Sequence, residues 1–306
     1  MKNIKLFAIA TSLIIGLFSC KNGAANNANT TLLNKKDSLS YILGAINAKT
    51  IIGSGAKSFE NLDKKQIIIG FNSNLNEVSA DACLATLKML FGENFQDFNK
   101  KYVQEGSLCM GKMTGYAFYY DIKKLGGKDL LNFDMVKKGF ADGLYKKDTF
   151  LRDEAMKKTM QSFMVGLNEK NGAKMMAKAK LIKGAQVFEN GVVIQTLKDG
   201  QGPFPGLSDD VKVHYILTSS IGDTLQNSYK MPNEKNEIES VPLSLVGGVI
   251  PGWSYAIPKM KVGGTYRLYL PWELAYGEQQ GRESLCFIVE LIARGPAGSF
   301  TKSKND

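Results

Sequence analysis

Residues that bind metals or carry out acid–base catalysis are scarce in this chain. Its 306 residues include one histidine and four cysteines, and the cysteines are dispersed, without a CxxC or HExxH pattern. Zinc sites draw most of their ligands from these two residue types. The sequence therefore predicts no metal site and no cofactor.

Proline is absent from residues 37–183, whereas seven of the eight prolines lie between Pro203 and Pro271. Because proline interrupts helices, the first region favours long helices and the second favours short strands and turns. A length of 306 residues suits about two domains. We expect an α+β protein with an all-α N-terminal region and a C-terminal twisted antiparallel sheet carrying one short helix.

Long apolar runs are also rare, and the run from Leu6 to Phe18 is too short to span a bilayer as a stable helix. Lys2 and Lys5 precede it, which indicates a signal peptide over residues 1–19. The run leads into Ser19-Cys20, which resembles a bacterial lipobox. We expect lipid on Cys20 to anchor the protein in the cell envelope, at the outer membrane facing the periplasm. An ordinary secretion signal with a chance cysteine is the alternative.

Basic residues outnumber acidic ones, 39 to 29, and the formal net charge is +10. Such a charge suits a nucleic-acid or anionic-membrane partner. The lysines are scattered in pairs, however, without interleaved arginine and aromatic residues. This pattern is typical of a solvated helix surface, so we expect no nucleic-acid partner.

The polar segment 20–36 is typical of a flexible tether, and the helical spacing of apolar residues predicts a helical module over 37–185. The module ends in a long helix with methionine and phenylalanine along one face. Asn171-Gly172 is expected to interrupt this helix.

Two stretches of the helical module resemble each other. Asn61-Leu62-Asp63 precedes Gly70-Phe71, and Asn132-Phe133-Asp134 precedes Gly139-Phe140. A glycine-containing helix, with Gly44 in one copy and Gly115 in the other, lies upstream of each. We interpret these as two related helical units with Asn or Asp N-caps, although two unrelated segments with similar caps are the alternative.

The cysteines after Cys20 are three in number. Cys83 and Cys109 lie in the helical module and could pair, but the sequence leaves this open. Cys286 stands in an apolar run and is predicted to be a buried free thiol.

The C-terminal region shows β-rich runs and one helix signal. Alternation along Val211 to Tyr215 predicts a strand with one buried face, and Pro251 predicts the first turn of a short helix across that face. The predicted strands are Gly191 to Leu197, Val211 to Thr218, Thr265 to Leu270 and Leu285 to Ala293.

Five sequence blocks in this region carry a family resemblance. They include Val213-His214-Tyr215, Val249-Ile250-Pro251-Gly252-Trp253, Met260 with Gly263, Pro271 with Leu274-Ala275-Tyr276-Gly277, and Phe287-Ile288-Val289-Glu290-Leu291. Their order and spacing resemble the FKBP-type peptidyl-prolyl isomerase domain over residues 186–296. The helical module resembles that of two-domain bacterial members related to the macrophage infectivity potentiator, which implies a homodimer and the holding of unfolded clients. A disordered tail is expected over 297–306.

The resemblance implies an aromatic pocket for a prolyl ring. Trp253 would form the floor, and the N–H of Ile250 and the hydroxyl of Tyr276 would hold substrate carbonyls. The implied catalytic residues are Tyr215, Trp253, Tyr276 and Phe287, and the implied substrate-binding residues are Leu225, Gln226, Leu245, Val249 and Ile250.

The sequence also departs from the family pattern. Leu225-Gln226 replaces a phenylalanine and an aspartate, Leu245 replaces an aromatic residue, and Gly247-Gly248 is unusually flexible. Only residues 277–286 separate Tyr276 from Phe287, so the loop over the pocket is short. These changes are expected to weaken the activity, and His214 is expected to face away from the pocket.

Two functions follow from these observations. The first is an envelope prolyl isomerase that acts on unfolded or proline-containing exported proteins by desolvating and twisting the amide. The alternative is a non-catalytic client-binding or scaffold lipoprotein with a degenerate site.

Overall fold

The computed structural model of the chain describes residues 35–53, 60–73, 80–93, 97–146, 153–233 and 236–300. Two compact units divide between Met164 and Val165. The expected signal peptide, Cys20 and most of the tether lie outside the described residues. None of the helices in the described ranges is long and apolar enough to cross a membrane.

The secondary structure described before the sheet consists of helices joined by turns. Its α-helices are α1 Lys35–Gly53, α2 Lys64–Asn72, α3 Ala80–Phe91, α4 Val103–Lys124, α5 Phe133–Leu144 and α6 Asp153–Lys180. Helix α1 begins inside the stretch predicted to be a tether, at Lys35. Both predicted caps are present, since the side chain of Asp63 accepts backbone N–H groups at the start of α2 and that of Asn132 does so at α5.

Helix α6 is continuous, so the predicted break at Asn171-Gly172 is wrong. A Cβ atom on Gly172 would lie 2.6 Å from the Oγ of Ser284, which shows that this glycine allows close packing rather than ending the helix. Farther along α6, Met176 and Ala179 are buried against Val193 of the sheet. The division between units therefore falls within α6 and not at residue 185.

A disulfide joins Cys83 of α3 to Cys109 of α4, which answers the question left open by the sequence. The helical core around it is made of large apolar side chains that are almost completely buried. It includes Leu43, Phe71, Leu90, Phe91, Ile122 and Phe140. Burial of this apolar surface is the main stabilising contribution to the first compact unit, which ends at Met164 and is called the helical unit below.

The C-terminal region is one antiparallel sheet in which the strands follow the order β1-β2-β6-β7-β3-β4, and β5 also pairs with β3. Its strands are β1 Gln186–Val187, β2 Val193–Lys198, β3 Asp210–Thr218, β4 Thr224–Asn227, β5 Val241–Ser244, β6 Thr265–Leu270 and β7 Leu285–Gly295. The four longest strands match the sequence predictions within a few residues, and the fold class is confirmed.

The face of the sheet that positions the site is the buried one. Val211, Val213 and Leu217 of β3 are buried on it, and Tyr215 is half-buried in the same row. Helix α7, Pro251–Ala256, packs against this face with Trp253 and Ala256 buried. Pro251 stands at the first turn of α7, where its missing N–H costs no helical hydrogen bond.

The predicted disordered tail is wrong for its first residues. The backbone N–H groups of Gly298 and Phe300 donate to Oδ2 of buried Asp210, at 3.0 and 3.2 Å. A buried carboxylate needs such donors, and these contacts order residues 297–300 beside the first residue of β3. Residues 301–306 lie outside the described residues.

Candidate active site

A pocket of about 320 Å³ opens between α7, strands β3, β4, β5 and β7, and the segments that follow β5 and β6. Its lining brings together seven of the nine side chains predicted for the site. The lining residues are Tyr215, Gln226, Leu243, Gly247, Gly248, Val249, Ile250, Trp253, Tyr276 and Phe287.

Three aromatic rings form the inner end of the pocket. Trp253, only 4% exposed, meets the rings of Tyr215 and Phe287 edge to face, with centroids 5.5 and 5.2 Å apart. Edge-to-face contacts of this kind are favourable and hold each ring in a defined orientation. The result is a rigid apolar floor and two walls.

Tyr215 and Gln226 form a hydrogen-bonded pair at one side of the pocket. The hydroxyl of Tyr215 donates to Oε1 of Gln226 at 2.9 Å, across the β3–β4 pairing. The glutamine carboxamide thus occupies the place where the family resemblance implies a carboxylate. It can accept this hydrogen bond without carrying a charge.

Hydrogen-bond donors around the pocket have no acceptor within the described part of the chain. These donors are the backbone N–H of Ile250, which precedes α7, the hydroxyl of Tyr276 and the buried indole N–H of Trp253. A donor without a partner in a water-poor pocket loses about 1–3 kcal/mol relative to a satisfied one. They are therefore ready to bind carbonyl oxygens of a bound chain.

The segment after β5 forms the rim of the pocket, and the sequence predicted only part of its structure. Gly247 has φ +68°, a conformation that other residues rarely adopt, and a Cβ on Gly248 would lie 2.6 Å from the carbonyl oxygen of Ser244. The Gly247-Gly248 pair therefore marks a tight turn. Leu243 also lines the pocket, and nothing in its sequence context distinguished it from a core residue.

Two predicted binding residues lie outside the lining. Leu245 is buried in the core, where its backbone N–H donates to Asp209 and its carbonyl accepts the hydroxyl of Ser254. Leu225 is 40% exposed and sits at a bulge, since Leu217 pairs with Gln226 while Thr218 pairs with Thr224. The bulge separates Leu225 from its neighbour Gln226, which does line the pocket.

The short loop after Tyr276 stays away from the pocket. It forms a 3₁₀ turn over Gly277–Gln280, and none of residues 277–286 lines the cavity. Helix α6 holds the loop, because Asn168 donates to the carbonyl of Gly281 at 3.0 Å and Arg282 pairs with Glu169 at 2.9 Å. The pocket is therefore open on this side.

The lining contains no charged side chain among the described residues. Burial raises the pKa of Tyr215, and burial together with the neighbouring Tyr215 raises the pKa of Tyr276. A raised pKa keeps each phenol protonated, and so able to donate, to higher pH than an exposed tyrosine. The site is suited to binding neutral groups by shape and hydrogen bonds.

His214 and Cys286 take no part in this pocket. The ring of His214 stacks on Tyr229 at 4.4 Å, and its Nδ1 lies 3.2 Å from the Oγ of Ser228. Cys286 is a free thiol but is only half-buried, because strand alternation places its neighbours Leu285 and Phe287 on the core face instead.

Comparison with known proteins agrees with this geometry. A sequence model described as FKBP-type peptidyl-prolyl cis-trans isomerase matches residues 202–292. The peptidyl-prolyl cis-trans isomerase Mip of Coxiella burnetii is 33% identical over 208 residues, which are 61% of this chain and 84% of the relative. The chain belongs to the FKBP-type peptidyl-prolyl cis-trans isomerases. This membership confirms the enzyme class predicted from the sequence blocks.

The sequence similarity to other members of the family extends beyond residues 202–292, which form most of the C-terminal sheet domain. The outer membrane protein MIP of Legionella longbeachae is 29% identical over 53% of this chain and 76% of its own length. The crystal structure of FkpA from Escherichia coli aligns with 65% of this chain and 98% of that chain, at 28% identity and a TM-score of 0.42. The sequence similarity to Mip and to the outer membrane protein MIP indicates that the present chain is a bacterial envelope protein.

Proposed function

We propose that the pocket between α7 and the sheet is where this enzyme rotates a peptidyl-prolyl bond. The observation that carries the proposal is the convergence of three interlocked aromatic rings and several unpaired donors on one uncharged cavity. Rotation about a peptide bond costs about 18–20 kcal/mol, because the amide loses its resonance. A catalyst must therefore stabilise the twisted amide better than the planar one.

The aromatic rings act by removing water from the reacting amide. Trp253 forms the floor beneath the prolyl ring, and Tyr215, Val249 and Phe287 form the walls. Solvent hydrogen bonds stabilise the planar, polar amide, so their loss favours the twisted state, in which nitrogen and carbonyl are electronically decoupled. No nucleophile or proton transfer is required.

The donors hold the substrate backbone while the bond turns. The backbone N–H of Ile250 and the hydroxyl of Tyr276 bind carbonyl oxygens on either side of the proline. Gln226 fixes the hydroxyl of Tyr215 and so orients that wall. Leu245 acts indirectly, by holding the start of α7 through Ser254, and Leu225 provides apolar surface at the rim.

The substrates that this site suits are proline-containing segments of unfolded exported proteins. The lipobox at Cys20 supports attachment to the outer membrane on the periplasmic side, because several acyl chains on one cysteine anchor a protein stably. Two features support a modest rate, namely the neutral Gln226 and a loop that leaves the pocket uncovered. Both weaken the enclosure of the amide.

Removal of one hydroxyl tests the pocket. We expect Tyr276→Phe, in the mature chain carrying Cys20→Ala, to lower peptide isomerisation about tenfold, since one lost hydrogen bond in the transition state is worth about 1–1.5 kcal/mol. The matched control is Tyr255→Phe, on α7 but outside the lining. Turnover is measured by magnetisation exchange on a short proline peptide. Equal turnover in the two variants would assign catalysis elsewhere.

A further inference from the structure

The helical unit contains two close helix crossings of the same kind. Where α1 crosses α5, a Cβ on Gly44 would collide with the carbonyl oxygen of Val136, and a Cβ on Gly139 would collide with that of Tyr41. Each helix therefore contributes one glycine that lets the other helix approach backbone to backbone. The contact is reciprocal.

The crossing of α4 on α2 repeats this arrangement. A Cβ on Gly111 would collide with the carbonyl oxygen of Ile67, and a Cβ on Gly70 would collide with that of Leu108. Gly111, rather than Gly115 as the sequence suggested, is thus the counterpart of Gly44. In this alignment the glycine stands four positions after a serine in both helices, Ser40 in α1 and Ser107 in α4.

A serine hydroxyl marks the same point in both crossings. Ser40 of α1 accepts the backbone N–H of Asn132, the N-cap of α5, at 2.8 Å. Ser107 of α4 accepts the backbone N–H of Asp63, the N-cap of α2, at 2.9 Å. Both serines are completely buried, so each hydrogen bond is shielded from water.

The spacing shows which residues correspond. Ser40 and Ser107 are 67 residues apart, as are Gly44 and Gly111. The caps Asp63 and Asn132 are 69 apart, as are the glycines at 70 and 139. Helices α1 and α2 thus form one repeat and α4 and α5 another, yet α1 packs on α5 and α2 packs on α4. The two repeats exchange partners.

Phe71 and Phe140 show how the repeats are related. They are also 69 residues apart, and their rings stack on each other with centroids 3.7 Å apart and planes within 6°. Equivalent residues contact each other directly only on a twofold axis, as in an isologous dimer interface. The helical unit therefore has an internal pseudo-twofold axis between these rings.

Helices α3 and α6 are the third helices of the first and second repeat. Each of them also packs on the first helix of the other repeat. Cys109 of α4 bonds to Cys83 of α3, whereas Ile42 of α1 is buried in one cluster with Met156 of α6. Ile42 and Cys109 are 67 residues apart, and Cys83 and Met156 are 73 apart. The disulfide between α3 and α4 thus occupies the position that an apolar contact occupies between α1 and α6.

We propose that the two repeats form an internal dimer, so that the partner of each repeat is the other repeat and the chain is a monomer. The glycine crossings, the two serine hydrogen bonds and the Phe71–Phe140 stack all join one repeat to the other within the described helices. A tethered repeat competes at an effective concentration on the order of millimolar, which exceeds that of a second chain in solution. This proposal replaces the homodimer expected from the sequence and does not depend on the assigned pocket.

Sedimentation equilibrium on the mature chain carrying Cys20→Ala tests the assembly. We expect the mass of one chain at every concentration from about 1 to 100 μM, far below the effective concentration within the chain. A mass that rises toward two chains with concentration would overturn the proposal. The measurement uses the unaltered helical unit, so no variant has to fold.

A pair of cysteines tests the symmetry. We expect Ile42→Cys combined with Met156→Cys to form a disulfide within one chain, since this pair corresponds to Cys109 and Cys83. Non-reducing electrophoresis should show a monomer, and thiol titration should show no additional free thiol. Ile42→Cys alone is the control and should add one free thiol. A disulfide-linked dimer, or two added free thiols in the double variant, would show that the repeats are not related as proposed.

The glycines give a third measurement. We expect Gly44→Ala and Gly111→Ala to lower the melting temperature of the helical unit by similar amounts, because each methyl group meets an equivalent carbonyl. Gly166→Ala, on α6 with nothing within 4 Å of the added Cβ, is the control and should not lower it. A loss confined to one crossing would contradict the equivalence.

Discussion

The helix crossings of the helical unit are formed by close contact of backbone, whereas the pocket of the sheet domain is formed by aromatic rings. At Gly44 and Gly111, helices approach so closely that no side chain fits between them. In the sheet domain, hydrogen-bonded strands set the frame, and Tyr215, Trp253 and Phe287 fill it at centroid distances of 5.2 to 6.4 Å. A cavity lies beside the rings that meet at their edges, whereas the crossed helix backbones are in direct contact at these glycines. Substitutions in the two regions should therefore affect different properties.

The largest expected effect is on the helical unit alone. Phe140 is completely buried and stacks on Phe71, so Phe140→Ala should lower the free energy of unfolding of this unit by about 3–5 kcal/mol. Peptide isomerisation below the melting temperature should stay unchanged. Far-ultraviolet circular dichroism and the peptide assay measure the two properties separately.

Met89→Ala is the matched control for Phe140→Ala, because Met89 is a large apolar residue of the same unit that is 48% exposed. It should change stability by less than about 0.5 kcal/mol. A fall in peptide turnover in the Phe140→Ala variant would remove the distinction between a stabilising and a catalytic region.

The disulfide should have the next largest effect, again without a change in turnover. It closes a loop between residues separated by 26 positions, so Cys83→Ala with Cys109→Ala should cost the helical unit about 2–4 kcal/mol. The midpoint of urea unfolding measures this change. Cys286→Ala, which removes the free thiol of the sheet domain, should leave the helical midpoint where it is, and a shift there would contradict the assignment.

The smallest expected effect is that of pH on the pocket. No lining side chain titrates between about pH 5 and 9, and the pKa of Tyr276 is raised by burial, so its hydroxyl keeps its proton throughout this range. Turnover of a peptide without ionisable groups should change less than about twofold across this interval.

Gln226→Asp sharpens the pH test. The new carboxyl should make turnover rise as the pH rises through its pKa, because the ionised form is the better acceptor for orienting groups around the amide. A steep profile in the unaltered enzyme would show that a titrating group outside the lining controls turnover, and a flat profile in the variant would show that Gln226 does not face the reacting amide.

The sequence predicted the long elements of the fold and missed the short ones for a physical reason. Alternation along Val211 to Tyr215 identified β3, a β-rich run identified β7, and Pro251 identified α7. Strands β1, β4 and β5 have two to four residues, too few to show a period. The break predicted at Gly172 failed because packing on Ser284 outweighs the low helix propensity of glycine.

The site was predicted in part for similar reasons. Residues with a large ring or a fixed place in a motif, such as Trp253 and Tyr276, converge on the pocket as expected. Leu245 does not, because its side chain belongs to the core side of the chain before α7. Gln226 lines the pocket while Leu225 does not, and this depends on a bulge in β4 that no local pattern encodes.

The two repeats meet at two equivalent interfaces, and only the interface between α3 and α4 carries a disulfide. The two interfaces therefore respond differently to redox conditions. The interface with Cys83 and Cys109 reaches its full stability only in an oxidising compartment, whereas the interface with Ile42 and Met156 does not depend on an oxidant. Under reducing conditions the interface between α3 and α4 is therefore the less stable of the two.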